Sequence, residues 1–343
     1  MYQLATTLPF MVCLVWTAIL FVQFRSADRA HRALAVFGVA ATLLYFCHYL
    51  HFNGLQSLFS ESLYYLCNLS VYPLYAMYVK SLTGKEKPGR WNLLWLVPAV
   101  VMFVISLTGV VRSSLEVQLA VQILFPVVSI AATIVAFIDL YNFRESVENF
   151  YSNPGEKRLD PLLAILILLA MASVGSFTVN ILGRDHFMAT ERLIVPALFF
   201  SALLFSIFYF GNKTDLPVED VRVDDSRSKA DNSDASAYAS IMDRIHRQME
   251  FKQIFRSKGL TVAELAEAVG SNRSYVSASI NQTTGQNFSD YVNSWRIEYA
   301  KKLMQTTEMT LAEIADAAGF TDRTSFYRSF KKITGKSPSE WLK

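Results

Sequence analysis

Charge is scarce in the first 211 residues of this chain, and its absence there decides the reading of the rest. Charged residues make up 18% of the 343 positions against 52% hydrophobic, and nearly all the long apolar runs fall before Asn212. Helices this apolar and this frequent would leave one soluble core almost no polar surface, so a single water-soluble globule is excluded. Cysteine is nearly absent. Cys13, Cys47 and Cys67 all fall inside apolar runs, and with no zinc-finger spacing among them no metal site is expected. Burial as small packing residues is the ordinary use of such thiols, with a Cys47–Cys67 disulfide as the alternative. No basic residue precedes the first apolar run and arginines follow it, the reverse of a cleavable secretory signal. No clustered His, Asp and Glu stand at the spacing catalysis needs, so neither enzyme activity nor a cofactor is expected.

What the first 211 residues do contain is a series of apolar stretches near 3–24, 33–52, 62–79, 91–111, 118–140, 162–182 and 192–211. Each approaches the roughly 20 residues that cross a lipid bilayer, which predicts a seven-helix transmembrane bundle over residues 1–211. The third is rich in tyrosine (Tyr64, Tyr65, Tyr72, Tyr75, Tyr78) and is the weakest span of the set. The first, third and fifth breaks carry Arg25, Arg29 and Arg32; Lys80, Lys85, Lys87 and Arg90; and Arg144, Lys157 and Arg158. Alternate breaks carry only Arg112, Arg184 and Arg192. Basic residues favour the cytoplasmic side, so the N-terminus is expected outside and the C-terminus, after seven spans, in the cytoplasm.

Four prolines, Pro73, Pro98, Pro126 and Pro196, fall within the expected spans, where each removes a backbone hydrogen bond and permits a static or hinged kink. Polar residues within or beside the spans, His48, His51, Asn68, Asp139 and Asn180, are candidates for function because polarity is costly in lipid. Asp139 lies near the cytoplasmic interface, which leaves His48, His51, Asn68 and Asn180 as candidate signal-sensing residues. The His48/His51 pair lies three apart on one helix face but has no third ligand, so a metal is not expected.

Residues 212–237 differ sharply in composition. They are rich in Asp and Ser, with few large apolar residues and no period, as expected of a flexible tether. A helical pattern resumes at Tyr238 with Ile241, Ile245 and Met249, then Phe251, Ile254 and Phe255. This entry helix, 238–256, either docks its apolar stripe on the domain that follows or pairs with a second protomer in a homodimer.

The last part of the chain carries one pattern twice, about 50 positions apart. TVAELAEAVGSNRSYVSASINQTTG runs from Thr261 to Gly285, and TLAEIADAAGFTDRTSFYRSFKKITG from Thr310 to Gly335, offset by one inserted residue at Phe320. Each copy opens with Thr-x-x-Glu, a capping box built on Thr261 and Glu264 or on Thr310 and Glu313. A short Ala-rich helix is then interrupted at Gly270 or Gly319, where a residue without Cβ suits a tight turn. A second helix starts behind a polar cap, Ser271 or Asn272 in one copy and Thr321 or Asp322 in the other. Two short helices joined by a glycine-containing turn form the helix-turn-helix unit, whose second helix enters the DNA major groove.

In the second helices the apolar residues Val276 and Ile280, or Phe326 and Phe330, sit four apart and face a core. The opposite faces expose Arg273, Ser274, Ser277, Ala278 and Asn281 in the first copy, and Arg323, Thr324, Tyr327, Arg328 and Lys331 in the second. Acids sit on the first helices (Glu264, Glu267; Glu313, Asp316) and bases on the second. The domain's net charge is close to balanced, so its basic face matters more than its total.

Residues 238–343 resemble the DNA-binding domain of the AraC/XylS family of bacterial transcription regulators. The match is strongest from Gly319, where Gly319-Phe320, Phe326/Phe330, Lys331-Lys332, Thr334-Gly335 and Pro338 fall at the family's spacing. The resemblance implies that Arg273, Ser274, Ser277, Asn281, Arg323, Thr324, Tyr327 and Arg328 face DNA bases. Arg323 and Arg328 suit guanine O6 and N7. Asn272, Thr321, Lys331, Lys332 and Lys336 are then expected on phosphates, which hold register without reading sequence. Ala278 stands where family members often present a long polar side chain, which weakens base reading by the first copy. A linking helix, 288–304, with Phe288, Val292, Trp295 and Tyr299 on one stripe, is implied to hold the readers one turn of DNA, about 34 Å, apart.

The resemblance covers the last third of the chain only, so nothing about a ligand's identity carries over. The expected whole is an all-α regulator in a bacterial inner membrane. Its expected partners are promoter DNA, the lipid bilayer and RNA polymerase, under the control of a signal sensed by the membrane domain. The alternative is a membrane transporter or membrane enzyme with an appended regulatory domain. Against it, no internal repeat is found before residue 211.

Overall fold

The computed structural model describes residues 2–25, 27–83, 90–152, 160–182, 190–213 and 235–342, which are mostly helical. No strand ladder forms among those residues, and one isolated antiparallel bridge joins Tyr151 to Thr261. The chain divides into two compact units, one of residues 1–142 with 159–218, the other of residues 143–158 with 219–343.

The first unit comprises α1 (Tyr2–Gln23), α2 (Arg29–Phe52), α3 (Leu58–Thr83), α4 (Val97–Leu107), α5 (Val110–Ser113), most of α6 (Leu115–Phe150), α7 (Asp160–Leu182) and α8 (Thr190–Lys213). Among the described helices, α1, α2, α6 and the Arg192–Lys213 stretch of α8 are long and apolar enough to cross a membrane. The other three expected spans also fall on helical segments. Although 26 residues long, α3 is diluted by Ser, Asn and five tyrosines. The fourth stretch is a 3-10 turn, Arg90–Leu96, leading into α4. Pro98 therefore sits in a first helical turn, where it has no hydrogen bond to lose. In α7, a 23-residue helix, the described apolar stretch is Leu163–Gly175.

Small residues let these helices approach closely. A Cβ on Gly38 of α2 would stand 2.6 Å from Thr17 Oγ1 of α1, and one on Gly211 of α8 would stand 2.7 Å from Leu34 of α2. The Thr17 and Thr42 hydroxyls join α1 to α2 at 3.1 Å, and Ser62 donates to Ser106 at 3.0 Å between α3 and α4. Phe37 packs its ring against both Tyr75 and Phe208, with centroids 5.6 and 5.7 Å away. The outward surface is apolar as well. Val22, Ile123, Val127, Ile134, Met171 and Val195 are all more than half exposed. Pro9, which the sequence reading passes over, lies inside α1, as Pro73, Pro126 and Pro196 lie inside α3, α6 and α8. All three cysteines are free and buried, so the disulfide alternative does not form.

The second unit comprises α9 (Ala235–Glu250), a 3-10 turn (Ile254–Arg256), α10 (Val262–Val269), α11 (Arg273–Thr284), α12 (Phe288–Thr306), α13 (Leu311–Ala317), α14 (Arg323–Thr334) and α15 (Pro338–Trp341). The last two turns of α6, from Phe143, belong to it. The apolar stripe of α9 is spent inside the unit. Ile241, Met242, Ile245 and Met249 are buried against α10 and α11, each worth about 1.5–3 kcal/mol, so docking, not pairing with a second protomer, accounts for them. Phe251 departs from the expected stripe and is 76% exposed, because the helix ends at Glu250 and the chain turns through Gln253 at φ 51°. A second core gathers Ile297, Ala300, Ile314, Ala318, Phe320, Phe326 and Phe330. Most of the expected linker, residues 214–234, lies outside the described residues.

Candidate nucleic-acid interface

Both helix pairs are built by the same local chemistry. Thr261 Oγ1 accepts from Glu264 N at 3.2 Å while Thr261 N donates to the Glu264 carboxylate at 2.8 Å. Thr310 and Glu313 repeat this at 3.3 and 2.8 Å. The Glu313 carboxyl is held below its ordinary pKa by the backbone and hydroxyl hydrogen bonds from Thr310. A third capping box, Ser337 with Glu340, starts α15. The second helices open behind Asn272, which accepts from Tyr275 N at 2.9 Å, and Asp322, which accepts from Ser325 N at 2.7 Å. These two, not Ser271 or Thr321, are the caps.

The turns differ by the inserted residue. In the first pair Gly270 itself ends α10 at φ 62°, and α11 begins three residues later. In the second, Ala318 ends α13, Gly319 follows at φ 85°, and Phe320 drops into the core at 2% exposure. There its ring meets Phe326 edge-on at 5.3 Å. A Cβ on Gly319 would lie 2.6 Å from the Arg256 carbonyl oxygen, whereas one on Gly270 would lie 3.8 Å from its nearest neighbour. The glycine in the second turn is therefore required by close backbone approach as well as by φ.

On α14 the outward face holds what the sequence placed there. Arg323, Thr324, Arg328, Lys331 and Lys332 are exposed, as are Thr321 before the helix and Lys336 after it, while Tyr327 is half-buried. Arg323 donates to the Tyr327 hydroxyl at 3.0 Å and lies over that ring at 5.2 Å. This hydrogen bond lowers the Tyr327 pKa and, with the ring contact, orients the guanidinium. Lys332 is engaged by Asp290 of α12, at 2.6 and 2.8 Å to its two oxygens, so it ties α14 to the linking helix. Thr321 shares its hydroxyl with Asp322 at 3.3 Å.

On α11 the face is less open. Arg273, Ser274 and Ser277 are half-buried, whereas Asn272 and Asn281 are exposed. The Arg273 guanidinium lies over the ring of Phe150, the last residue of α6, at 5.4 Å. Phe150 is held there by its neighbours. Ser152 N donates to Leu260 O at 3.0 Å, and Ser152 O accepts from Ser289 Oγ and Asn293 Nδ2, both at 3.1 Å.

Sequence reasoning missed the residue that holds the two pairs together. Arg296 of α12 is fully buried, donates to Phe255 O at 2.7 Å and to Ser257 O at 2.8 Å, and lies over the Phe320 ring at 5.5 Å. Burial lowers its pKa to about 9, which still leaves it charged at neutral pH. Arg256, in the same 3-10 segment, donates to Ala317 O at 3.1 Å, closing the connection to α13. The available signal was register. Arg296 falls four residues after Val292 and four before Ala300, on the inward face of α12.

Of the four candidate sensing residues in the first unit, His48 and Asn68 line one cavity. The His51 ring Nδ1 turns to the Gln56 side chain at 2.6 Å, and His51 is not in that lining. The Asn180 side chain lies outside the described residues.

Comparison with known proteins bears on the second unit alone. The family described as "Helix-turn-helix domain" matches residues 265–343. An uncharacterized HTH-type transcriptional regulator of Staphylococcus aureus (strain MSSA476) is 30% identical over 99 residues, which are 29% of this chain and 13% of that protein. The uncharacterized HTH-type transcriptional regulator YtdP of Bacillus subtilis (strain 168) is 30% identical over 122 residues, 36% of this chain and 15% of that protein. The C-terminal domain of the two-component response regulator yesN from Fusobacterium nucleatum is 28% identical, covering 32% of this chain and all of that one, at a TM-score of 0.27. The matches thus span a small part of the curated relatives' length. The C-terminal segment of this chain is an AraC-type helix-turn-helix domain.

Proposed function

We propose that this protein is a membrane-bound transcription regulator that binds promoter DNA through two helix-turn-helix units and answers to a signal sensed by its apolar domain. The observation that carries the reading is α14, which turns Arg323, Thr324, Arg328 and Lys331 outward behind a capped turn. In this proposal α14 lies in one major groove, and α11, with Ser274, Ser277 and Asn281, lies in the next. Arg323 and Arg328 read bases. Lys331 and Lys336, together with Asn272 and Thr321 at the helix starts, hold phosphates. Lys332 reaches DNA only by leaving Asp290, so its part is first structural. RNA polymerase is the proposed partner on the promoter.

Support for the membrane comes from four helices that can span one and from the exposed apolar surface around them. A seven-span bundle with its N-terminus outside and its C-terminus in the cytoplasm of a bacterial inner membrane is the topology proposed, because basic residues crowd alternate breaks.

The test is DNA selection with the full chain in lipid nanodiscs, followed by binding to the selected duplex and its single-base variants. Arg323→Ala and Arg328→Ala are each expected to cost about 1–3 kcal/mol on the selected site and to relax preference at one defined base pair. Lys331→Ala and Lys336→Ala are expected to weaken all duplexes alike and to flatten the salt dependence. Equal losses across sequences for all four variants contradict these roles.

A further inference from the structure

The first unit holds a half-open cavity of about 150 Å³ walled by α1, α2, α3, α6, α7 and α8. Two of its walls carry intrahelical prolines, Pro9 of α1 and Pro196 of α8. Proline cannot donate to the carbonyl four residues earlier and bends the helix away from its neighbours. Most of the lining is apolar, with Phe37, Leu44, Phe125 and Leu204 among it. Among the described residues no carboxylate, ammonium or guanidinium lines it. A few polar side chains do, among them Thr6, Tyr45, His48 and Asn68. The His48 ring stands edge-on to Tyr64 at 5.2 Å. The Thr6 hydroxyl donates to its own helix at Gln3 O, at 3.0 Å, which leaves its lone pairs facing outward as acceptors.

Size, charge and polarity together define an occupant. A mostly apolar cavity of this volume accepts one benzene-sized ring. The described lining offers no counter-charge to a carboxylate, phosphate or amine, and burying such a group without one is costly. Asn68 brings both a donor and an acceptor, and Thr6 and His48 add further hydrogen-bonding atoms. One or two polar groups on a mostly apolar wall are the usual means of orienting a small ligand.

We propose that this cavity binds the signal, a small uncharged molecule with one apolar ring and one hydroxyl group, of which phenol is the simplest representative. The inference deepens the sensor reading given above and rests on it for its consequence, although binding itself is measured without DNA. A ring enters among Phe37, Phe125 and Leu204, and its hydroxyl meets the Asn68 amide. Occupancy restrains the helices in which Pro9 and Pro196 each remove a backbone hydrogen bond.

The experiment is equilibrium binding of radiolabelled phenol to the full chain in nanodiscs, with empty nanodiscs as background and benzene as the analogue without a hydroxyl. Saturable binding of phenol to the wild type is expected. In Asn68→Leu, phenol binding is expected to weaken about ten-fold, the worth of one buried hydrogen bond, with benzene unchanged. Ala41→Phe, which adds a ring to the wall, is expected to exclude both probes. Phenol binding no greater than in empty nanodiscs overturns the proposal, as does equal phenol affinity in all three proteins. Mass spectrometry showing a lipid chain in the cavity that phenol does not displace overturns it too. DNA retardation by the same samples separates the two readings. Retained DNA binding without saturable phenol rejects this site alone, whereas saturable phenol without DNA binding keeps the site and rejects the regulator.

Discussion

At the scale of single residues, the two helix pairs look interchangeable in sequence and are not so in energy. Gly270 and Gly319 both adopt positive φ, at 62° and 85°, yet only Gly319 has a carbonyl where a Cβ would be. Gly270→Ala is expected to cost roughly 1–2 kcal/mol, the left-handed penalty alone. Gly319→Ala is expected to cost about 3 kcal/mol or more, because the Arg256 backbone has to move as well. Thermal unfolding of the two variants side by side measures the difference, and equal losses contradict the close approach. The glycines and both capping boxes were legible in the sequence because their chemistry is local. Arg296 was legible only as a position on the inward face of α12, since its partners Phe255 and Ser257 lie some 40 residues earlier. Phe320 was visible as an insertion, but its burial beneath Arg296 was not.

At the scale of helices, period and length foretold much of the architecture. The stripe on α9 and the apolar pairs on α11 and α14 follow the 3.6-residue period and are buried, as such stripes must be. Where the stripe ran past Glu250 to Phe251, a left-handed residue at Gln253 ended the period. The α12 stripe also shifted. Phe288 and Val292 are buried, but Trp295 and Tyr299 sit half-exposed beside Phe255 while Arg296, Ile297 and Ala300 take the core positions. The end of α6 was not legible at all. Ser152 and Asn293 are far apart in the chain and carry no motif. Their hydrogen bonds still hold Phe150 against Arg273 within the second unit. Asn293→Leu leaves the main bonds of Arg296 intact and removes one of the two donors to Ser152 O. Hydrogen exchange at the Ser152 amide is expected to accelerate about ten-fold in this variant, the loss of one hydrogen bond, with α14 amides unchanged. An unchanged Ser152 rate contradicts the contact.

At the scale of the whole molecule, the chain is apolar on its surface over one unit and capped and polar, with a basic face on α14, over the other. Hydropathy made that division visible at once. It left the fourth expected span unresolved, because a 3-10 turn and Pro98 lie where a plain helix was expected. The cavity was also invisible, since six separate helices contribute its wall. His48 and Asn68 were singled out for being polar among apolar neighbours, and only the packing of α2 against α3 brings them to one space. The central claim, DNA read from the inner face of a membrane, is tested most directly by flotation. Membrane vesicles carrying the full chain, prepared right-side-out and inverted, are mixed with the selected duplex and spun through a density gradient. DNA is expected to float with inverted vesicles alone and to be released by salt. Duplex that floats with right-side-out vesicles, or with neither, contradicts the account.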